Sequence, residues 1–385
     1  MNRKFLNNAR AFLAELWSRE NRLVESDDYW TNGDDDNYSE SVERVVINSP
    51  TAHRASEMMS KFIRGSGLTN DVDFGDETLF DKVREISQDL AIQGGCWIHR
   101  SVKFDIDSDK FVTDKIEVLN YHHMRKGKGD DDDNSGKIYV RDKAKDKFEL
   151  TKDKAPWFYP FSDDQQVIKS QIEADAKDTD SETIAEKLSH YRGQVLYINT
   201  TPRFIYALSP FDSVFNDMDT EYRISLYSNK IVRSGFLGKK IILFKEQDPL
   251  SSGEDEYGEE FDANVRMKEL ITGWMGAENS DSVFVSSVDS VEDIKDFIHV
   301  IDIPTDFNED MFIDTINRVR RNILGSASSL PEALIFTNDG GLFSGSGEQI
   351  LQLKMFYNEQ TEDYRTIIER ALFRLGFDTK IIELT

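Results

Sequence analysis

Apolar residues recur at helical spacing up to Gly94-Gly95 and then give way to short alternating runs. Met1 to Leu23 is interrupted by Arg3, Lys4, Arg10, Glu15, Arg19, Glu20 and Arg22. That is the pattern of an amphipathic helix, not the unbroken apolar core of a signal peptide. An acidic break holding Asp27-Asp28 and Asp34-Asp35-Asp36 follows. A second helix is expected after Ser49-Pro50, where Ser can cap and Pro suits the first turn. It carries Met58, Met59, Phe62 and Ile63 and stops at Gly65-Ser66-Gly67. A third starts near Asp76, carries Leu79, Phe80, Val83, Ile86, Leu90 and Ala91, and ends at Gly94-Gly95.

From Cys96 to about Thr151 the runs are β-prone: Trp97-Ile98, Phe104, Phe111-Val112, Ile116 to Leu119 and Lys137 to Val140. Residues 170–190 read as polar helix and loop with little core to offer. Val195 to Asn199 and Phe204 to Leu208 read as two strands around Thr201-Pro202. Ser209-Pro210 then opens a long helix to about Ser234, with Phe215, Met218, Tyr222 and Leu226 on one stripe and Gly235 and Gly238 beyond it. Strands are expected at Lys240 to Lys245, Ser282 to Val288 and Phe297 to Ile303, a loop at 247–260, and a helix from Phe261 to Trp274. Asp306 with Glu309 forms a capping signal for a helix bearing Phe312, Ile316, Val319 and Ile323, which ends at Gly325. After a Gly- and Ser-rich stretch, one last long helix carries Ile350, Leu353, Tyr357, Tyr364, Ile368, Ala371 and Leu375, with Gly376 as its cap. Lys380 to Leu384 reads as a short strand. There is no internal repeat.

The chain has 385 residues, enough for one large elaborated unit or two to three lobes. No run reaches the roughly 18 to 20 apolar residues of a membrane span. Cys96, the single cysteine, excludes an internal disulfide framework. Beside Trp97-Ile98 it reads as a buried, inert thiol, and synthesis in a reducing cytoplasm is expected. The formal net charge of −25 changes the picture most. A protein that grips DNA neutralises phosphates with Lys and Arg; this one repels them. Either the acidity serves solubility, or DNA is a partner that must slide past without sticking.

The order of the second half resembles the portal proteins of long-tailed bacteriophages. Ile323-Leu324-Gly325, Leu330-Pro331 and Ser346-Gly347-Glu348-Gln349 stand in the order that family shows after its second stem helix. Gln93 to His99 is similar to a family segment in which a helix ends at glycine and a strand follows. The resemblance implies an α+β portal fold with a wing, a two-helix stem, a small α/β clip and a tunnel loop. On it, residues 1–208 are the N-terminal part of the wing, 209–235 the first stem helix and 236–304 the clip. Residues 305–325 are then the second stem helix, 326–347 the tunnel-loop region and 348–385 the closing wing helix and strand. Little sequence follows Leu375, so a C-terminal crown is expected to be minimal or absent. The family's role implies a ring, twelve subunits by resemblance, at one capsid vertex of the virion. Such a ring is assembled in the host cytoplasm and is the channel for genome packaging and ejection. The implied partners are the major capsid protein, the terminase large subunit, a head–tail adaptor and double-stranded DNA passing non-specifically. No membrane, cofactor or metal is implied, and no enzymatic activity.

The candidate channel residues follow from this. Asn338, Asp339, Gly340, Gly341, Ser344 and Ser346 supply the small polar chemistry a tunnel loop needs; an ordinary surface loop has the same composition. Arg318, Arg320 and Arg321 are candidates for a positive ring in an acidic lumen. Equally, they read as complements of a helix dipole, with Asp314 four residues before Arg318. Lys239 and Lys240 stand at the start of the clip. A phosphate-binding G-x-x-x-x-G-K-[ST] run is absent, which argues against a packaging motor. Ser344 and Ser346 make no G-x-S-x-G. His122-His123, on a strand, would face opposite ways and form a poor metal pair. Asp131, Asp133, Ser135 and Asp142 approach a calcium-loop spacing but lack an entering helix and the closing Glu. An acidic hairpin turn fits them better. A calcium-assisted hydrolase using the loop near Asp131, or another neck or adaptor protein of the virion, are the alternatives.

Overall fold

The computed structural model describes residues 29–33, 36–128, 136–141, 157–177, 183–233, 240–245, 253–254, 260–261, 265, 283–288, 298–302, 309–335 and 347–384. Two compact units emerge. The first comprises Met1–Asp219 and Arg318–Thr385, the second Thr220–Asn317.

In the first unit, α1 (Tyr38–Asn48) ends where Ser49 turns extended and caps α2 (Pro50–Arg64) by accepting from the Ala52 N–H. No separate helix is expected between the acidic break and Ser49; α1 fills that stretch. A short strand, β1 (Gly67–Leu68), leads to α3 (Leu79–Gln93). The cap of α3 is Thr78, two residues past the Asp76 at which the helix is expected to start, and Thr78 and Asp81 exchange bonds as a capping box. Gly94 ends α3 at φ +70°, and a Cβ there would run into the Leu208 carbonyl, so glycine is required on both counts.

Next come β2 (Gly95–Asp105), β3 (Lys110–Leu119), a 3-10 turn (Tyr121–His123), β4 (Met124–Lys126), β5 (Ile138–Val140) and β6 (Trp157–Pro160). Two helices, α4 (Gln165–Asp175) and α5 (Ile184–Ser189), precede β7 (Gln194–Asn199). These strands form one mixed sheet in the order β3-β2-β7-β6-β5-β4, with β6 and β7 parallel and the other pairs antiparallel. α3 packs on this sheet through Val83, Ile86 and Leu90, in one cluster with Ile98, Ile116 and Ile198. α4 is less idle than its polarity suggests: Ile168 and Ile172 are buried with Val102.

Phe204 to Leu208 is not a strand. Its backbone donors are taken by side chains: Ala207 N–H donates to Tyr197 Oη (2.7 Å) and Leu208 N–H to Thr201 Oγ1 (2.9 Å). With those donors spent, no ladder forms. His122 and His123 likewise sit on the 3-10 turn, not on a strand.

The chain passes into the second unit within α6 (Phe215–Arg233). There β8 (Lys240–Lys245) pairs in parallel with β11 (Val283–Val288) and antiparallel with β12 (Ile298–Asp302), while β9 (Gly253–Glu254) pairs with β10 (Glu260–Phe261). Phe261 therefore belongs to a strand, not to the start of a helix. Val265 is helical, and the rest of the helix expected to Trp274 lies outside the described residues.

The return is α7 (Glu309–Ser326). The last long helix is two, α8 (Gly347–Gln360) and α9 (Glu362–Arg374), broken at Thr361. There the Thr361 hydroxyl bonds back to the Tyr357 carbonyl (2.9 Å), which competes with the helical ladder. Arg365, 4% exposed, binds the break: it donates to Thr361 Oγ1 (2.9 Å), the Asn358 carbonyl (2.7 Å) and the Phe62 carbonyl (3.4 Å), and pairs with Glu383 (3.1 Å). Finally β13 (Ile381–Ile382) pairs antiparallel with β1.

A second buried ionic node ties the acidic break to the sheet. Asp36, at φ +59°, accepts Arg125 Nε on Oδ1 (2.6 Å) and forms an ion pair with Arg141, whose Nε lies 3.0 Å from Oδ2. Arg125 is 0% and Arg141 1% exposed. Arg141 also reaches Glu40 (2.6 Å) and Asn37. Removing one partner of a buried pair leaves charge without compensation, so Arg125→Met or Arg141→Met is expected to cost about 3–5 kcal/mol. Arg54→Ala, which breaks the exposed pair with Glu57, is expected to cost under about 0.5 kcal/mol. Urea unfolding midpoints of the three variants check this.

Candidate functional site

The helices that carry the candidate channel residues leave and re-enter the first unit through one apolar root. Ahead of α6, Ser209 accepts the Phe211 N–H (3.1 Å) and donates to the Ile92 carbonyl (2.5 Å), holding the entry against the end of α3. Tyr38 donates to Asp212 (2.8 Å) and accepts the Ser209 N–H (3.2 Å). Phe211, Val214 and Met218 then enter a cluster with Val319, Ile323, Leu324, Ala327 and Leu330 of the returning segment and with Val42, Val46 and Ala55 of α1 and α2. Polar ties cross the root as well: Asn322 Nδ2 donates to Asp217 (3.0 Å), and the Ser326 hydroxyl donates to the Pro210 carbonyl. Tyr357 of α8 closes it by donating to the Ala327 carbonyl (2.9 Å).

Beyond the root the apolar stripes lose their cover. Met218 is fully buried, but Leu226 is 45% and Tyr227 44% exposed on α6. On α7, Val319 and Ile323 are buried, while Ile313 is 54% exposed. The stripe read from Phe215 to Leu226 is thus a core stripe only at its start.

Arg318 and Arg321 are exposed, and Arg320 is half-buried. At about 100° per residue, Arg318 and Arg321 share a flank of α7 and Arg320 turns away from it. α7 runs on to Ser326, which leaves no basic residue in its last turn, and no ion pair joins Arg318 to Asp314 among the described residues. Lys240 opens β8. Lys239, the tunnel-loop candidates Asn338, Asp339, Gly340, Gly341, Ser344 and Ser346, the capping residue Asp306, and Asp131, Asp133, Ser135 and Asp142 of the acidic loop lie outside the described residues. Among the described residues no group of three or more His, Cys, Asp or Glu is placed to hold a metal.

Past α7 the chain turns through Ser328 and Ser329, both at φ +55°, and the Leu330 N–H closes the turn on the Leu324 carbonyl (2.9 Å). Leu330 can then drop into the root. Two successive non-glycine residues in the left-handed region are unusual and costly. The sequence marks this bend only by its small residues.

No protein-family model and no curated protein matches the sequence. Solved structures do. A chain in the neck of a native gene transfer agent particle, computed with C12 symmetry, aligns at TM-score 0.51 and 12% identity over 96% of this chain and 88% of that one. A chain in the virion of the native particle aligns at TM-score 0.50 and 11% identity, with the same coverage. The chain shares the fold of these particle chains. The crystal structure of an HK97 family phage portal protein from Corynebacterium diphtheriae aligns more weakly, at TM-score 0.39 and 11% identity over 86% of this chain and 90% of that one. At these identities the likeness is one of fold, and the mixed helix-and-sheet class expected from element order stands. No helix of the described residues is long and apolar enough to cross a membrane.

Ile323→Ala should open a cavity in the root and cost about 2–4 kcal/mol. Ser329→Gly, relieving a left-handed residue, should be neutral or stabilising, and Ser329→Val destabilising by about 1–2 kcal/mol. Denaturant unfolding of the three variants checks both.

Proposed function

We propose that the chain is a portal protein: one subunit of a ring at a single capsid vertex, through which double-stranded DNA is packaged and ejected. The observation that carries this is the likeness of nearly the whole chain to a neck chain computed with C12 symmetry. The root geometry supports it. In the proposal α6 and α7 are the stem and the β8–β12 segment is the clip. The sheet with α1 to α5, α8 and α9 is the wing, and residues 326–347 supply the tunnel loop. Twelve copies arranged head to tail close when each presents two different surfaces to its neighbours. The exposed apolar positions Leu226 and Ile313 are the kind of surface such contacts need.

The chemistry is non-enzymatic. A net charge of −25 repels phosphates over about 8 Å at physiological salt, so the duplex slides without being gripped. Arg318 and Arg321 are the discrete positive points in that lumen. The ring docks the terminase large subunit during packaging, then a head–tail adaptor, and is held by the major capsid protein. It assembles in the host cytoplasm and ends in the virion. A neck or adaptor role is the nearest alternative; the insertion of a whole lobe between α6 and α7 favours the portal.

Negative-stain electron microscopy with mass photometry on the purified chain tests the proposal. Rings with a central hole and the mass of twelve chains are expected; particles that stay monomeric at micromolar concentration, with and without co-expressed capsid protein, count against it. The double variant Arg318→Ala/Arg321→Ala should still form rings, and should lower the salt slope of residual DNA binding by about one for each phosphate no longer neutralised.

A further inference from the structure

Away from the root, β6 stops early within the sheet of the first unit and leaves a gap. Its last pair with β7 is Pro160–Val195, while β7 runs on to Asn199. A cavity of about 340 Å3 opens at this carboxyl end of β6, and Arg374, the last residue of α9, reaches it from outside the sheet. Lys126, Lys137 and Arg374 line it together with Tyr197 and Phe161, and no Asp or Glu does so among the described residues. In a chain with 72 acidic and 47 basic residues, such a wall is the reverse of what composition favours.

The three cations are held by rings, not by acids. Lys126 Nζ lies 4.6 Å from the centre of the Tyr197 ring, Lys137 Nζ 4.5 Å from that of Trp157, and the Arg374 guanidinium carbon 4.9 Å from that of Phe161. None of the three makes an ion pair among the described residues. A ring face fixes a cation in place but leaves its charge uncompensated. Lys126 shows this most plainly: burial pulls its pKa down, and no carboxylate opposes the shift. The charges still face solvent. Lys126 and Lys137 are half-buried with neither nitrogen enclosed, and Arg374 is exposed. Behind this wall Arg100, 4% exposed, also lies over the Phe161 ring (5.0 Å); Asp163 favours its charged form without contacting it as an ion pair.

The rings that line the cavity are already taken up. Tyr197 stacks on Trp97 with ring centres 3.8 Å apart, so Lys126 occupies its other face. Phe161 carries two guanidiniums. What the cavity offers a ligand is therefore convergent positive charge, two compact ammoniums and one planar fork, and not a stacking platform. A carboxylate brings a single negative charge. A phosphoryl group brings about 1.5 to 2 at pH 7 and accepts a guanidinium fork through two oxygens. We propose that this cavity is a binding site for a phosphoryl group, held by Lys126, Lys137 and Arg374 and recognised by its charge, not by what is attached to it. The site lies wholly within the first unit and is independent of the ring.

Calorimetric titration of the full-length chain with pyrophosphate at low salt, where charges are least screened, tests this, with citrate as a carboxylate probe of similar charge. Pyrophosphate should bind and raise the melting temperature, as a ligand of the folded state does; citrate should bind about tenfold more weakly or not at all. Lys126→Met and Arg374→Gln should each weaken pyrophosphate about tenfold or more, the loss of one charge-assisted bond. Without ligand, Lys126→Met should hold or raise the melting temperature, because it removes a half-buried cation that no acid balances; a merely structural Lys126 would lower it. Lys103→Met, which removes an exposed β2 cation paired with Asp114 (3.4 Å), should leave the affinity unchanged. If a short DNA duplex displaces pyrophosphate, the natural occupant is a nucleic-acid backbone; if it does not, the occupant is a free phosphorylated compound, and both results uphold the site. Absence of pyrophosphate binding overturns the proposal, as does equal binding of citrate or binding that survives both Lys126→Met and Arg374→Gln. Binding that appears only once Asp130 to Asp133 are replaced by Asn overturns it too, since the chain's own acidic run is then the occupant.

Discussion

The root shared by α6 and α7 is the constraint around which the first unit is arranged. The chain departs at Asp219 and returns at Arg318, so two distant stretches must meet in register. Phe211 and Met218 on the way out share one apolar cluster with Val319, Ile323 and Leu330 on the way back. Burial of such side chains is worth about 1.5–3 kcal/mol each, which is large against the marginal stability of any domain. α1 and α2 supply the opposing surface, and Tyr357 of α8 closes it. The bend at Ser328 and Ser329 exists because Leu330 has to reach this cluster, and the gain from its burial offsets local backbone strain.

Elements whose physics is local were legible in the chain. Ser49-Pro50 and Gly65 bound α2, and Gly94 ends α3 in the left-handed conformation it alone tolerates there. Strands with β-branched and aromatic residues, such as Ile116 to Leu119 and Val195 to Asn199, sit where their alternation put them. What escaped depends on partners remote in sequence. Phe204 to Leu208 has strand-like composition, but Tyr197 and Thr201 capture its donors. The α8–α9 pattern is continuous, but the helix breaks at Thr361, where Arg365 reaches the Phe62 carbonyl and Glu383. Asp36 read as one acid in a polar loop, and nothing local announces that two buried arginines close on it. β6 is four residues of Trp, Phe, Tyr and Pro, too short to stand out before its neighbours are known. Of the candidate site, the helix that bears Arg318 and Arg321 was visible as a stripe, yet which arginine turns away follows from the direction of the root.

Charge is distributed unevenly between inside and outside. Among the described residues Lys82, Arg100, Arg125, Arg141 and Arg365 are buried, as are Asp36, Glu221 and the side chain of Asp175. The interior therefore withdraws more cations than anions, and the surface is more acidic than composition alone implies. Arginine suits this use, because its planar, weakly hydrated fork satisfies several carbonyl and carboxylate acceptors at once. The nodes at Asp36 and Arg365 hold segments far apart in sequence together and, in doing so, strengthen the outward negative field.

The Thr220–Asn317 segment is an insert held at both ends by the ties Asn322–Asp217 and Ser326–Pro210. Closing a chain between fixed points depends only logarithmically on its length, and doubling the length adds about 0.6 kcal/mol. Lineages can therefore lengthen, trim or exchange this insert while the host unit scarcely registers the change. Selection can act at two speeds within one gene, slowly on the residues of the root and quickly on the piece it carries.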